Sequence, residues 1–218
     1  DKIFTMNTAN HGRAFYEKAL KLEAEGKIAE AIQNYKEARK APQAGDYAKA
    51  ALFRRAFLEL NNQDAKTARE SFLEFTRDYP MGLESETSWL RVIQIDLDLG
   101  DFQKAVENAD NFLTRYPESP RRDEAYYKKA TALVSLKRYE EALEFFKKVG
   151  EKSVLYPEAL YGMGMSYESQ EKFSESLPFY EKITNLYPDN PFALEILERY
   201  VYLYLKAGQP DKAAAVYE

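Results

Sequence analysis

The chain of 218 residues carries 31 Lys and Arg against 36 Asp and Glu, a formal net charge of −5, and it has no cysteine. That balance offers no general attraction for a phosphate backbone, so nucleic acid is not an expected partner. Without cysteine there is no disulfide or thiolate chemistry, and no apolar run approaches the roughly 18–20 residues a transmembrane helix needs.

Residues 1–11 form a lead-in without periodicity, lacking the basic and apolar regions of a targeting leader. From residue 12 onward apolar residues recur at helical spacing, in short amphipathic helices that come in pairs. The pairs span about 12–43, 49–80, 86–117, 123–154, 157–188 and 194–218. Breaks between the two helices of a pair are expected near residues 26, 63, 100, 137, 171 and 208. Gly26, Gly100 and Gly208 suit a helix end, and Pro210 suits a helix start. The turn at Lys137-Arg138 has neither Gly nor Pro and is located only by the patterns on its two sides. Because the chain starts at Asp1, and because the last pair stops about two turns into its second helix, a removed leader or an excised piece is expected.

The fourth pair, DEAYYKKATALVSLKRYEEALEFFKKVGEKSVLYP, shows the unit most plainly. Tyr126, Ala130 and Leu133 share one face of its first helix; Tyr139, Ala142, Phe146 and Val149 share one face of its second. With Ala142 as register mark, the equivalents are Ala31, Ala68, Ala105, Ser176 and Ala213, separated along the chain by 37, 37, 37, 34 and 37 residues. Four residues beyond each mark stand Tyr35, Phe72, Ala109, Phe146, Tyr180 and Tyr217. Sixteen before each stand Phe15, Leu52, Trp89, Tyr126, Leu160 and Leu197. One pair cannot cover its own apolar face, whereas stacked copies bury a continuous core.

Over residues 13–218 this order of large, small, aromatic, small, aromatic and closing Pro resembles the tetratricopeptide repeat. The fifth pair matches best, with Leu160, Met163-Gly164, Tyr167, Phe173, Ser176, Tyr180, Ile183 and Pro188 at the family's positions. The 37-residue spacing and the endings FLEFTRDYP and FLTRYPESP resemble bacterial cell-envelope members, BamD-like and CpoB-like. Six units exceed the CpoB type, and no lipoprotein Cys is present. The resemblance implies an all-α, right-handed superhelical solenoid of antiparallel helix pairs, about six repeats with the last truncated. It also implies an adaptor outside the inner membrane, periplasmic or outer-membrane-associated rather than cytoplasmic, with a lipid tether lost with the leader as one option.

Chemistry has little to work with. His11 is the only histidine, so no metal site or nucleophile–base pair can be completed. Asp96 and Asp98 lie two apart on a helix and diverge, and Asp98 and Asp101 read as solvated groups around a helix end. A non-enzyme is expected, without catalytic, cofactor or metal residues.

A protein or peptide is the expected partner. In the resembled fold the first helices line a concave surface. One position beyond the large residue of that helix stand Tyr16, Phe53, Leu90, Tyr127, Tyr161 and Glu198; four further on stand Leu20, Phe57, Gln94, Thr131, Met165 and Tyr202. Such a floor suits an extended or helical peptide with apolar anchors. The competing expectation is that these rings only pack against neighbours, although Phe57 and Met165 are hard to explain as packing on a solvated face. Beside them Arg54, Arg91 and Lys128 recur 37 residues apart, with Arg199 two units on. They form either a basic strip for an acidic peptide or a row neutralised by Glu124, Glu158 and Glu195. Tyr16 and Leu20 occupy the positions where chaperone-tail receptors place a Lys/Asn clamp, so that activity is not expected. The alternatives to a peptide-binding envelope scaffold are an array cut from a larger enzyme or signalling protein and a module that self-associates through its end repeats.

Overall fold

A computed structural model describes the backbone of residues 2–189, 191 and 193–216 and the side chains of 11–189, 191 and 195–216. Among the described residues every regular element is an α-helix: α1 (Lys2–Ala24), α2 (Ile28–Lys40), α3 (Asp46–Asn61), α4 (Ala65–Asp78), α5 (Leu83–Asp98), α6 (Phe102–Arg115), α7 (Arg122–Ser135), α8 (Tyr139–Phe146), α9 (Tyr156–Glu168), α10 (Phe173–Leu186), α11 (Ala193–Lys206) and α12 (Pro210–Ala215). They belong to two compact units, Asp1–Leu99 and Gly100–Glu218. In the first, α1 packs on α2, α2 on α3, α3 on α4 and α4 on α5; in the second the same sequential packing runs from α6 to α12. The expected fold class, antiparallel helix pairs without sheet, is what both units contain.

The register marks explain the close approach of the paired helices. Ala31, Ala68, Ala105, Ala142 and Ser176 have no exposed surface, and the larger Tyr35, Phe72 and Tyr180 four residues on are equally inaccessible. Small residues opposite rings interlock without voids, which is how an interior reaches crystal-like density. Phe15 and Leu197, at the position where Leu52 and Leu160 are buried, are instead 36% and 41% exposed. Tyr217 lies outside the described residues.

All six expected breaks coincide with a residue in the left-handed region: Gly26, Gly100 and Gly208, but also Gln63, Lys137 and Glu171 at φ of 63°, 58° and 59°. The cause is a repeated helix-ending motif. Lys27 N–H donates to Leu22 O at 2.9 Å and Gly26 N–H to Glu23 O at 3.0 Å; the same two bonds recur around Gln63, Lys137, Glu171 and Gly208. These bonds satisfy carbonyls that the helix leaves orphaned, and they require positive φ at one residue. An L residue there costs about 1–2 kcal/mol, offset in part by glycine's greater freedom when unfolded. Lys137→Gly is therefore expected to raise the unfolding free energy by about 0.5–1 kcal/mol, seen as a higher urea midpoint. A lower midpoint would place the strain elsewhere.

One expectation needs correction. Residues 2–11 are not a separate lead-in but the first turns of α1, since that stretch has no Pro or Gly to stop a helix. Asp96, which diverges from Asp98, has no exposed surface and accepts from the Arg69 guanidinium on α4.

Candidate functional site

In the first unit the helices α1 and α3 bring the expected aromatic residues together. Tyr16 packs 5.8 Å from Tyr35 and 5.7 Å from Tyr47, ring centre to ring centre. Phe53 lies 5.0 Å from Phe57 and 5.2 Å from Phe75, and Phe57 meets the buried Phe72 edge-on at 5.0 Å. Each of the three is anchored by one edge in the core and leaves another half-buried at the surface. Two adjoining clefts result, sharing Phe53 and Arg54 as a common wall. One, of about 480 Å³, is completed by Tyr16, Asp46, Lys49, Phe75 and Glu84; the other, of about 250 Å³, by Glu23, Phe57, Leu58 and Asn61. Leu90 is a correction: only 2% of it is exposed. Its neighbours Ser88, Trp89, Val92 and Ile93 are buried as well, so α5 is covered on adjacent faces and this position has no solvent side.

In the second unit Tyr127 stands 6.0 Å from Phe146 and Tyr161 5.8 Å from Tyr180, both at an interplanar angle of 56°, the angle also found for Tyr16 and Tyr35. The repeated geometry shows that each such ring packs on the aromatic residue of its own second helix. Tyr127 and Lys128 line a cleft of about 590 Å³ with Arg121, Glu124 and the connection carrying Ser153, Val154 and Leu155. Burial pushes the Tyr127 phenol above its ordinary pKa, helped by Glu158 nearby. The Tyr161 hydroxyl is engaged, donating to Glu195, with Arg199 5.7 Å over its ring. Met165 is half-buried, while Tyr202 is 46% exposed, 6.1 Å from Phe173 and with Lys206 5.7 Å from its ring centre.

The row of cations is mostly paired internally. Arg54 bonds Glu23 at 3.2 Å and the Tyr35 hydroxyl at 3.1 Å, Lys128 lies 3.8 Å from Glu124, and Arg199 pairs with Glu168 at 3.0 Å and Glu195 at 3.1 Å. Two of these form a triad that the sequence reading missed. The Tyr35 hydroxyl donates to Glu23 at 2.5 Å, and the Tyr180 hydroxyl donates to Glu168 at 3.0 Å, each with an arginine of the next pair on the same carboxylate. Glu168, Tyr180 and Arg199 follow Glu23, Tyr35 and Arg54 at one constant offset (168−23, 180−35 and 199−54 all give 145), so the register contained the signal. Burial raises both phenols well above their ordinary pKa. In the second pair the acid's position holds Leu60. Among the described residues Arg91 accordingly forms no ion pair, and its guanidinium sits 5.5 Å over Phe57.

Among the described residues no group of three or more His, Asp and Glu could hold a metal ion. No described helix is long and apolar enough to cross a membrane.

The folded pairs are those of a tetratricopeptide protein. Residues 45–211, 167 of 218, match the family described as YfiO, outer membrane lipoprotein, and the chain belongs to that family. The family supports the periplasmic or outer-membrane association expected from the sequence. No curated protein matches the chain. Among solved structures, a tetratricopeptide repeat protein from Parabacteroides merdae ATCC 43184 is 20% identical with a TM-score of 0.69, over 95% of this chain and 77% of that one. MamA from Desulfovibrio magneticus RS-1 is 21% identical with a TM-score of 0.65, over 78% and 91% of the two chains. YrrB, described as a tetratricopeptide protein with an unusual peptide-binding site, is 19% identical with a TM-score of 0.63, over 83% and 89%. At these identities the shared property is the fold.

Proposed function

We propose that this chain is a non-catalytic scaffold of the bacterial cell envelope that holds a segment of a partner protein against the aromatic clefts of its first helices. The observation that carries this reading is the pair of adjoining clefts around Phe53, where Tyr16, Phe53 and Phe57 each keep a ring edge at the surface. A cleft of this size, walled by rings and edged by a few polar groups, takes the apolar side chains of an extended or helical segment. The peptide-binding site in the description of YrrB is in keeping with it. Internal pairing of Arg54 argues for apolar anchoring over charge as the main source of affinity there.

The test is the double variant Phe53→Ala/Phe57→Ala, immobilised and challenged with a cell-envelope extract. Two desolvated aromatic anchors together carry about 2 kcal/mol or more, so capture of the bound partner is expected to weaken at least about 30-fold with helicity nearly intact. If the rings served packing alone, helicity and melting temperature would fall first and capture would be lost only with folding. Tyr127→Ala/Tyr161→Ala makes the same comparison for the second unit.

A further inference from the structure

The fourth pair departs from the others in a way the proposed groove does not use. Its second helix, α8, has 8 residues where α4 and α10 have 14, and the chain leaves it at Lys147. Residues 147–151 of the following connection line a cleft of about 420 Å³ together with α9 and α10. Its floor is apolar, made by Tyr156, Leu160 and Met163, all buried, with Phe179 at the side. Its rim carries Lys147, Lys148 and Lys182; Lys147 stands 4.0 Å from Glu144 and Lys182 3.0 Å from Glu151, which leaves the charge of Lys148 in excess on a chain whose net charge is −5.

We propose that this cleft is a second binding site, which takes an acidic segment of a partner protein with an apolar side chain next to its carboxylates. Lys148 is exposed and has no carboxylate in reach; its ammonium is held 4.6 Å from the Phe145 ring centre and 5.6 Å from that of Tyr126. The rings orient the ammonium without neutralising it. Lys182 is fixed at the mouth by the Tyr156 hydroxyl at 2.5 Å and by Glu151 at 3.0 Å. The Glu151 side chain is 76% exposed, so an incoming carboxylate displaces a group already in water. The apolar floor buries one or two side chains, which an extended phosphate backbone does not supply. A recessed floor equally favours a side chain over a flat layer of lipid headgroups.

The site can be read independently of the aromatic clefts, because Met163 lies on its floor at 4% exposure while Met81, at 74% and in the first unit, serves as the control. The chain labelled with ¹³C-methyl methionine is titrated with the capped peptide Asp-Glu-Leu-Phe-Asp-Glu, with its Asn/Gln isostere, and with phosphatidylglycerol vesicles. The acidic peptide is expected to shift the Met163 methyl signal and leave Met81 unmoved, and the isostere to shift neither. Lys148→Gln, which removes no ion pair, is expected to raise Kd about tenfold, the loss of one charge-assisted contact, and Lys182→Gln to raise it similarly. Added salt is expected to weaken the parent complex more than the Lys148→Gln complex. An unmoved Met163, equal binding of the isostere, an unchanged Kd in Lys148→Gln, or a response to vesicles alone would each overturn the assignment.

Discussion

Gly164→Ala is expected to lower the unfolding free energy by about 1–3 kcal/mol, although helix propensity alone predicts a gain of about 0.5–1 kcal/mol. The opposite signs make this substitution decisive for how α9 and α10 pack. A methyl group at Gly164 would stand 2.7 Å from Cε1 and Cζ of Tyr180, a ring with no exposed surface that cannot swing away. The added carbon forces the helices apart or the ring off its rotamer, and either outweighs the entropy gained in the unfolded chain. Chemical denaturation measures the sign directly, and a stabilised variant would mean that the two helices do not meet closely at this register.

Glu168→Ala is expected to cost about 2 kcal/mol, more than an exposed ion pair would. The loss falls on two partners at once. The buried Tyr180 hydroxyl loses its acceptor, and Arg199 loses the carboxylate that ties α11 to the preceding pair. Tyr180→Phe removes the donor along with its need for an acceptor and is expected to cost less. The two substitutions are expected to be non-additive by about 1 kcal/mol, since they share one bond. A cost within about 0.5 kcal/mol of zero for Glu168→Ala would reduce the triad to surface decoration.

The turn positions were legible because the period supplied what local chemistry did not. Nothing at Gln63, Lys137 or Glu171 suggests positive φ, but each falls where the repeat must reverse, and the orphan carbonyls of the preceding helix enforce the conformation. Leu90 was misplaced because register assumes the same faces are open in every pair, whereas α5 is apolar on adjacent faces and is covered accordingly. Asp96 escaped for the complementary reason: its partner Arg69 lies on a different helix, and spacing along α5 reports only neighbours on α5 itself. The charge row shows the same limit. For Arg54 and Arg91, neutralisation turns on one position in the pair before, Glu23 or Leu60, which periodicity of apolar residues does not weigh, whereas Lys128 finds Glu124 on its own helix.

The central claim, that a partner segment lies in the aromatic clefts of the first unit, is tested most directly by site-specific photocrosslinking in cells. p-Benzoylphenylalanine is placed at Phe53 or Phe57, or at Lys66 or Glu70 on the exposed face of α4. The structure predicts a protein adduct from the two cleft positions and none from the two on α4, with the crosslinked peptide carrying apolar anchors. Adducts from Lys66 and Glu70 with none from Phe53 and Phe57 would contradict it and move binding to the second helices.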